Sequence, residues 1–186
     1  MLGKLKRRGL RLAFVGIVAS CFAAQAADLS VSQFRVRGPA GGNDEFVELF
    51  NAGATTLDLA GFRLNASNAS GTTGTRLTFP AGTAIKPGCY LLLANGASGG
   101  YAGSVAADLK YSTGITDDGG LAVLDAGGTV LDQVGLSSGS AYKAGTPLVS
   151  LGSSNVDQGY ARRQNAAGVP QNSGDNAADF VKVAPT

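Results

Sequence analysis

The chain has 186 residues, with 15 Lys and Arg, 13 Asp and Glu, and no histidine. Five of the bases (Lys4, Lys6, Arg7, Arg8 and Arg11) crowd the N-terminus, so the part after Ala26 holds ten bases against all 13 acids and is mildly acidic, near −3. Such a domain lacks the positive field that draws proteins to phosphate backbones, so strong nucleic-acid binding is not expected. The lack of histidine excludes imidazole-based triads and the usual His-built zinc sites.

The N-terminus reads as an export signal: a basic stretch, an apolar run over residues 12–23, then Ala24-Gln25-Ala26 with small residues flanking a cut. Residues 1–26 are therefore expected to be a cleavable signal peptide, and 27–186 one mature domain beginning at Ala27. The apolar run is short of the ~20 residues that span a bilayer, so the mature form should have no transmembrane segment. A rival reading takes Val18-Ala19-Ser20-Cys21 as a lipobox, which would tether the domain through a lipid on Cys21. If Cys21 leaves with the signal, Cys89 is alone in the mature chain and no internal disulfide forms. Beside Tyr90 and Leu91-Leu92-Leu93, Cys89 is expected to be a buried small hydrophobe.

After the signal, short apolar runs alternate with turn residues, many of them among the chain's 28 glycines. Strands are expected at 29–37, 45–51, 56–59, 62–66, 76–79, 89–94, 109–111, 121–125, 129–135, 148–151, 159–163 and 180–183. Residues 121–134 form a hairpin signal around Ala126-Gly127-Gly128. Strands alternating with turns rather than helices point to an all-β antiparallel sandwich. Residues 65–75, 96–103 and 137–145 read as solvent-facing loops, the first mobile and low in complexity. Within it, Asn65-Ala66-Ser67 and Asn68-Ala69-Ser70 match the glycosylation tripeptide, a short match in a chain with a bacterial-looking signal.

Candidate chemistry is sparse. Glu45 and Glu48 are the only glutamates; three apart on a strand they face opposite ways, which suits neither glycosidase geometry. Asp44 and Glu48 share a face, and Asp117-Asp118-Gly119 and Asp175-Asn176 place hard oxygens in loops, without the spacing of a defined calcium loop. Turn chemistry through their side chains is the simpler reading. Arg162 and Arg163, near Tyr160, also face opposite ways on a strand; solvation or pairing with an acidic loop is expected rather than an anion site. No catalytic, cofactor or metal residues are assigned.

Two segments resemble the lamin-tail domain. Asn43-Asp44-Glu45-Phe46-Val47-Glu48-Leu49-Phe50-Asn51, followed by Thr56-Leu57-Asp58-Leu59-Ala60-Gly61-Phe62, is similar to that family's opening strand, turn and second strand. Ile85-Lys86-Pro87-Gly88-Cys89-Tyr90-Leu91-Leu92-Leu93 resembles its Pro-Gly-aromatic strand entry. Tyr160-Ala161-Arg162-Arg163 and Gly174-Asp175-Asn176-Ala177-Ala178-Asp179-Phe180 resemble its closing elements, so the likeness extends over nearly all of 28–186. Phe62 stands where the family usually has tryptophan, and the family's further Pro-Gly segment does not follow. The resemblance implies an immunoglobulin-like β-sandwich in which Phe46, Leu49 or Phe50, Leu57, Leu59 and Phe62 are core and Asp44 and Asp179 fix turns. It brings no catalytic residues. A secreted or envelope-exposed binding or structural module, meeting a protein or envelope component through its loops, is therefore expected. The alternative is an accessory to extracellular nucleic-acid handling, or a hydrolase built on carboxylates and a metal.

Overall fold

The structure is a computed structural model that describes residues 28–166 and 168–185; the expected signal peptide and Cys21 lie outside them. Among the described residues twelve strands are formed: β1 (Leu29–Arg35), β2 (Phe46–Asn51), β3 (Leu57–Asp58), β4 (Arg63–Ser67), β5 (Thr73–Thr78), β6 (Ala84–Ile85), β7 (Tyr90–Asn95), β8 (Leu109–Tyr111), β9 (Gly120–Leu124), β10 (Val130–Gly135), β11 (Gly159–Arg162) and β12 (Phe180–Val183). One helical turn, α1 (Asn176–Asp179), precedes β12. The strands build a six-stranded sheet ordered β12-β11-β1-β2-β7-β8, a four-stranded sheet ordered β10-β9-β4-β5, and the small pair β3-β6. All pairs are antiparallel except β7 with β8.

The core lies between the two larger sheets. Alternation along β1, β2 and β7 delivers Val31, Phe34, Val47, Leu49 and Leu93 to it, each fully buried, and Leu64, Ala66, Leu121 and Val123 meet them from the second sheet. Burying a Leu or Phe side chain is worth about 1.5–3 kcal/mol, so this layer is the main source of stability in a domain whose one described cysteine is unpaired.

Three expectations are corrected. Residues 148–151 form no strand; Leu148 and Leu151 still reach the core, carried by an irregular loop. Residues 65–75 are not a long mobile loop but a hairpin: β4 and β5 pair across a tight turn in which Asn68 Oδ1 accepts from Ser70 N at 3.0 Å and Thr72 N at 2.9 Å. β4 answers to the strand expected at 62–66 and the end of β5 to that at 76–79; the short polar side chains of 73–75 hid the start of β5, and β4 takes its other partner from the apolar β9. Cys89 is exposed. It has the same parity as core-facing Leu91 and Leu93, but it sits in the Lys86–Cys89 turn before β7 begins.

Among the residues that the resemblance assigned to the core, Leu49 and Leu59 are fully buried, while Leu57 and Phe62 are partly buried at its margin. Phe46 is buried from the other side of the sheet, under Tyr101, with ring centroids 5.8 Å apart. Phe50 shares that outer face and packs on Tyr90 at 4.7 Å.

Candidate functional site

Two regions hold the polar side chains that could act on a ligand: the loop-bearing end of the sandwich where β2 begins, and the outer face of the six-stranded sheet. At the loop end the charges turn inward. Arg35 Nε donates to the Asp44 carbonyl at 3.0 Å and its guanidinium pairs with the Asp44 carboxylate and with Asp157 at 3.0 Å. Asp44 also accepts from Ala40 N at 3.1 Å and Ala102 N at 3.0 Å, which ties two loops to the head of β2. This is the turn-fixing role that the resemblance implies for Asp44. Glu48, by contrast, lies on the outer face of β2, so Asp44 and Glu48 do not act together.

Glu45 is the most perturbed group. Its side chain is 1% exposed; Oε2 accepts from Asn95 Nδ2 at 3.0 Å and Oε1 from Ile115 N at 2.9 Å. Burial raises its pKa to about 7, against the lowering effects of those hydrogen bonds and of Arg76. The buried Tyr111 hydroxyl faces Glu45 closely enough to couple to it without completing a normal hydrogen bond; burial first, and then Glu45, keep it protonated far above its ordinary range. Arg76 Nε donates to the Gly114 carbonyl at 2.8 Å and fixes the same loop. Glu45 borders an open cleft of about 690 Å³ whose rim carries Arg37, Asn43, Asp117, Asp118 and Ser150. Arg37 is already paired with Asp117 at 2.9 Å and takes Asn155 Oδ1 at 3.0 Å. Asp117, Asp118 and Glu45 do not converge: among the described residues no three carboxylate or thiol groups stand where one metal ion could bind.

A second lock joins the sheets. Arg162 Nη2 meets Asp132 Oδ2 at 2.5 Å, Arg162 Nε donates to the Val31 carbonyl at 2.8 Å, and Val31 N donates to the same Asp132 oxygen at 2.7 Å. Bulges in β1 between Val31 and Gln33 and in β10 between Val130 and Asp132 make this approach possible. Burial raises the Asp132 pKa despite the arginine. Phe180 lies under the Arg162 guanidinium at 4.4 Å, and Asp179 accepts from Ser173 N at 2.9 Å and Ser173 Oγ at 2.7 Å, so it too fixes a turn. Arg163 is exposed, as alternation requires, and Tyr160 packs inward on Phe34 at 5.9 Å, so no anion site forms around them. Asp175 caps α1 through Ala178 N at 3.1 Å, and buried Asn176 serves Gly135 N and Ala144 N, which accounts for that pair as turn chemistry. Sequence reasoning missed the partners of the Arg162 lock, which lie 30 and 131 positions away, and the Asp157 arm of the Arg35 lock, 122 positions away.

The outer sheet face is built differently. Register places Val181, Ala161, Gln33, Glu48 and Leu92 in one row across five adjacent strands. Two shallow hollows of about 230 and 170 Å³ meet over this row and share Gln33, Glu48 and Tyr90. Tyr90 is 49% exposed. The side chains of Gln33, Gln164 and Tyr90 make no hydrogen bond among the described residues, unlike the amides of Asn51, Asn95 and Asn176.

No curated protein matches the chain. A crystal structure of a DUF4876 family protein from Bacteroides thetaiotaomicron superposes with a TM-score of 0.51 over 87% of this chain and 72% of that one, at 14% identity, a likeness of fold alone. The Lamin Tail Domain model matches residues 23–138. That span ends before Tyr160–Arg163 and Gly174–Phe180, which nonetheless belong to the same sandwich through the pairing of β11 with β1 and β12. With more than half its length matched, the chain belongs to the lamin-tail-domain family.

Proposed function

We propose that the mature domain is exported and works as a non-catalytic binding module. One observation carries this reading. The acids and bases that could run chemistry are held in structural locks, whereas the outer face of the large sheet presents polar groups with no internal partner. Glu45 is the single feature that favours an enzyme, since a buried carboxyl titrating near neutrality beside a cleft suits acid–base work. Both its oxygens are occupied by Asn95 and Ile115 and it is 1% exposed, which leaves no approach for a substrate. Export rests on the tripartite pattern of residues 1–26, and among the described residues no helix is long and apolar enough to cross a membrane.

Three measurements test the reading. The intact mass of protein recovered from the culture medium should correspond to a chain beginning at Ala27; a diacylated species beginning at Cys21 would move the module to a membrane surface. The purified domain should leave DNA, phosphodiester reporters and polysaccharides uncut in calcium and in magnesium buffers. It should bind duplex DNA no better than about 10⁻⁴ M at physiological salt. Turnover abolished by Glu45→Gln would replace the module with an enzyme.

A further inference from the structure

We infer that the trough across the outer face of the six-stranded sheet is a binding site for a neutral polysaccharide, with Tyr90, Gln33, Glu48 and Gln164 as its contact residues. The inference rests on the binding-module reading and names its ligand class.

The shape comes first. The row Val181, Ala161, Gln33, Glu48 and Leu92 follows the register partners of five strands, and at ~4.8 Å between strands it runs about 19 Å. The small side chain of Ala161 keeps the row low between Val181 and Gln33, while the Phe50–Tyr90 ring pair bounds one side and the Phe46–Tyr101 pair the other. The two hollows adjoin across Gln33, Glu48 and Tyr90, which line both, so the feature is an elongated open depression that suits a linear polymer better than a small molecule needing a closed pocket.

The chemistry narrows the polymer. A half-exposed tyrosine ring offers an apolar, polarisable surface with a hydroxyl at its tip, and the amides of Gln33 and Gln164 each offer a donor and an acceptor with no internal partner. Glu48 is aimed by Ser32 Oγ, which donates to Oε1 at 2.6 Å. An aromatic plate flanked by amides and one oriented carboxylate matches a ligand whose rings show an apolar C–H face and a rim of hydroxyls. No unpaired cation lines either hollow: the one arginine among their lining residues, Arg162, is turned inward and paired with Asp132, and exposed Arg163 lines neither. Glu48 and Asp108 therefore stand uncompensated against an acidic polymer, and neutral chains are favoured. An extended peptide is disfavoured by the same floor. The central strands β11, β1, β2 and β7 are paired on both sides, so no backbone edge is free to add a strand.

The test is native affinity electrophoresis of the purified mature domain through gels containing laminarin, glucomannan or hydroxyethylcellulose, with alginate as the acidic polymer. The domain should be retarded by at least one of the neutral polymers and not by alginate. Tyr90→Ala and Gln33→Ala should each weaken retardation about ten-fold, while exposed Val149→Ala, remote from the trough, should migrate as the parent does; circular dichroism and urea midpoints matching the parent will show that the variants fold. Absence of retardation in every neutral gel overturns the inference, as does binding that survives both Tyr90→Ala and Gln33→Ala. A parallel arm passes peptides from the organism's exported proteins over the immobilised domain. Saturable peptide binding without polysaccharide binding would overturn the ligand class and leave the module reading standing; failure of both arms would overturn both.

Discussion

The loop end and the sheet face of this domain use polar side chains to opposite ends. At the loop end, Arg35, Asp44, Glu45 and Asn95 are buried and mutually bonded, so their polarity holds backbone segments in place. On the face, the side chains of Gln33, Gln164 and Tyr90 make no hydrogen bond among the described residues and meet solvent. The contrast teaches that chemistry-bearing residue types do not mark a site by themselves. What marks it is whether their hydrogen-bonding capacity is already satisfied.

The sharpest way to break this comparison is to remove a lock. Asp132→Ala strips Val31 N of its buried acceptor and leaves Arg162 only the more distant Asp179 carboxylate, 3.9 Å away, and breaking a buried pair costs about 3–5 kcal/mol. The urea midpoint should fall accordingly, and a loss under 1 kcal/mol would mean that the Arg162 network is dispensable. Next in size is the pH response of Glu45. Its pKa rises from 4.5 unfolded to about 7 folded, so the native state binds more protons across that window. The sign follows: the Glu45 contribution to stability is fully present below pH 4.5 and is lost as pH rises through 7, by about 3 kcal/mol in all. Glu45→Gln should flatten that slope in urea titrations between pH 4.5 and 8, and an unchanged slope would relocate the titration to another group.

Smaller effects sharpen the picture. Gly61 has φ of +77° in the turn between β3 and β4, and Gly61→Ala should cost about 1–2 kcal/mol, measured as a fall in Tm, because a side chain strains that conformation. Cys89 should react at once with a thiol reagent in the native protein, because it lies exposed on the turn before β7; labelling seen only after denaturation would restore it to the core.

Much of the fold was legible because its strands carry alternation that only one register can bury. Leu91 and Leu93, or Val47 and Leu49, announce both a strand and its inner face. The hairpin of β4 and β5 was obscure for the opposite reason: Thr73–Thr78 has intermediate or exposed residues throughout and borrows its place from β4. Cys89 shows the limit of parity, which tells which way a side chain points within a strand but not where the strand begins. The long-range arms of the locks were invisible for a topological reason. Arg35 and Asp157 are 122 positions apart and meet only once the sandwich closes. The trough is hidden in a similar way, since its row takes about one residue from each of five strands.

The most direct test of the central contrast pairs the two regions in one experiment, with urea midpoint and retardation in a neutral-polysaccharide gel measured for Asp132→Ala and for the double variant Gln33→Ala, Tyr90→Ala. The account predicts a crossed result. Asp132→Ala should lose stability by about 3–5 kcal/mol yet keep its retardation while folded, and the double variant should keep its midpoint to within about 1 kcal/mol yet lose its retardation. A double variant that unfolds as readily as Asp132→Ala, or one that is retarded as strongly as the parent, would contradict it.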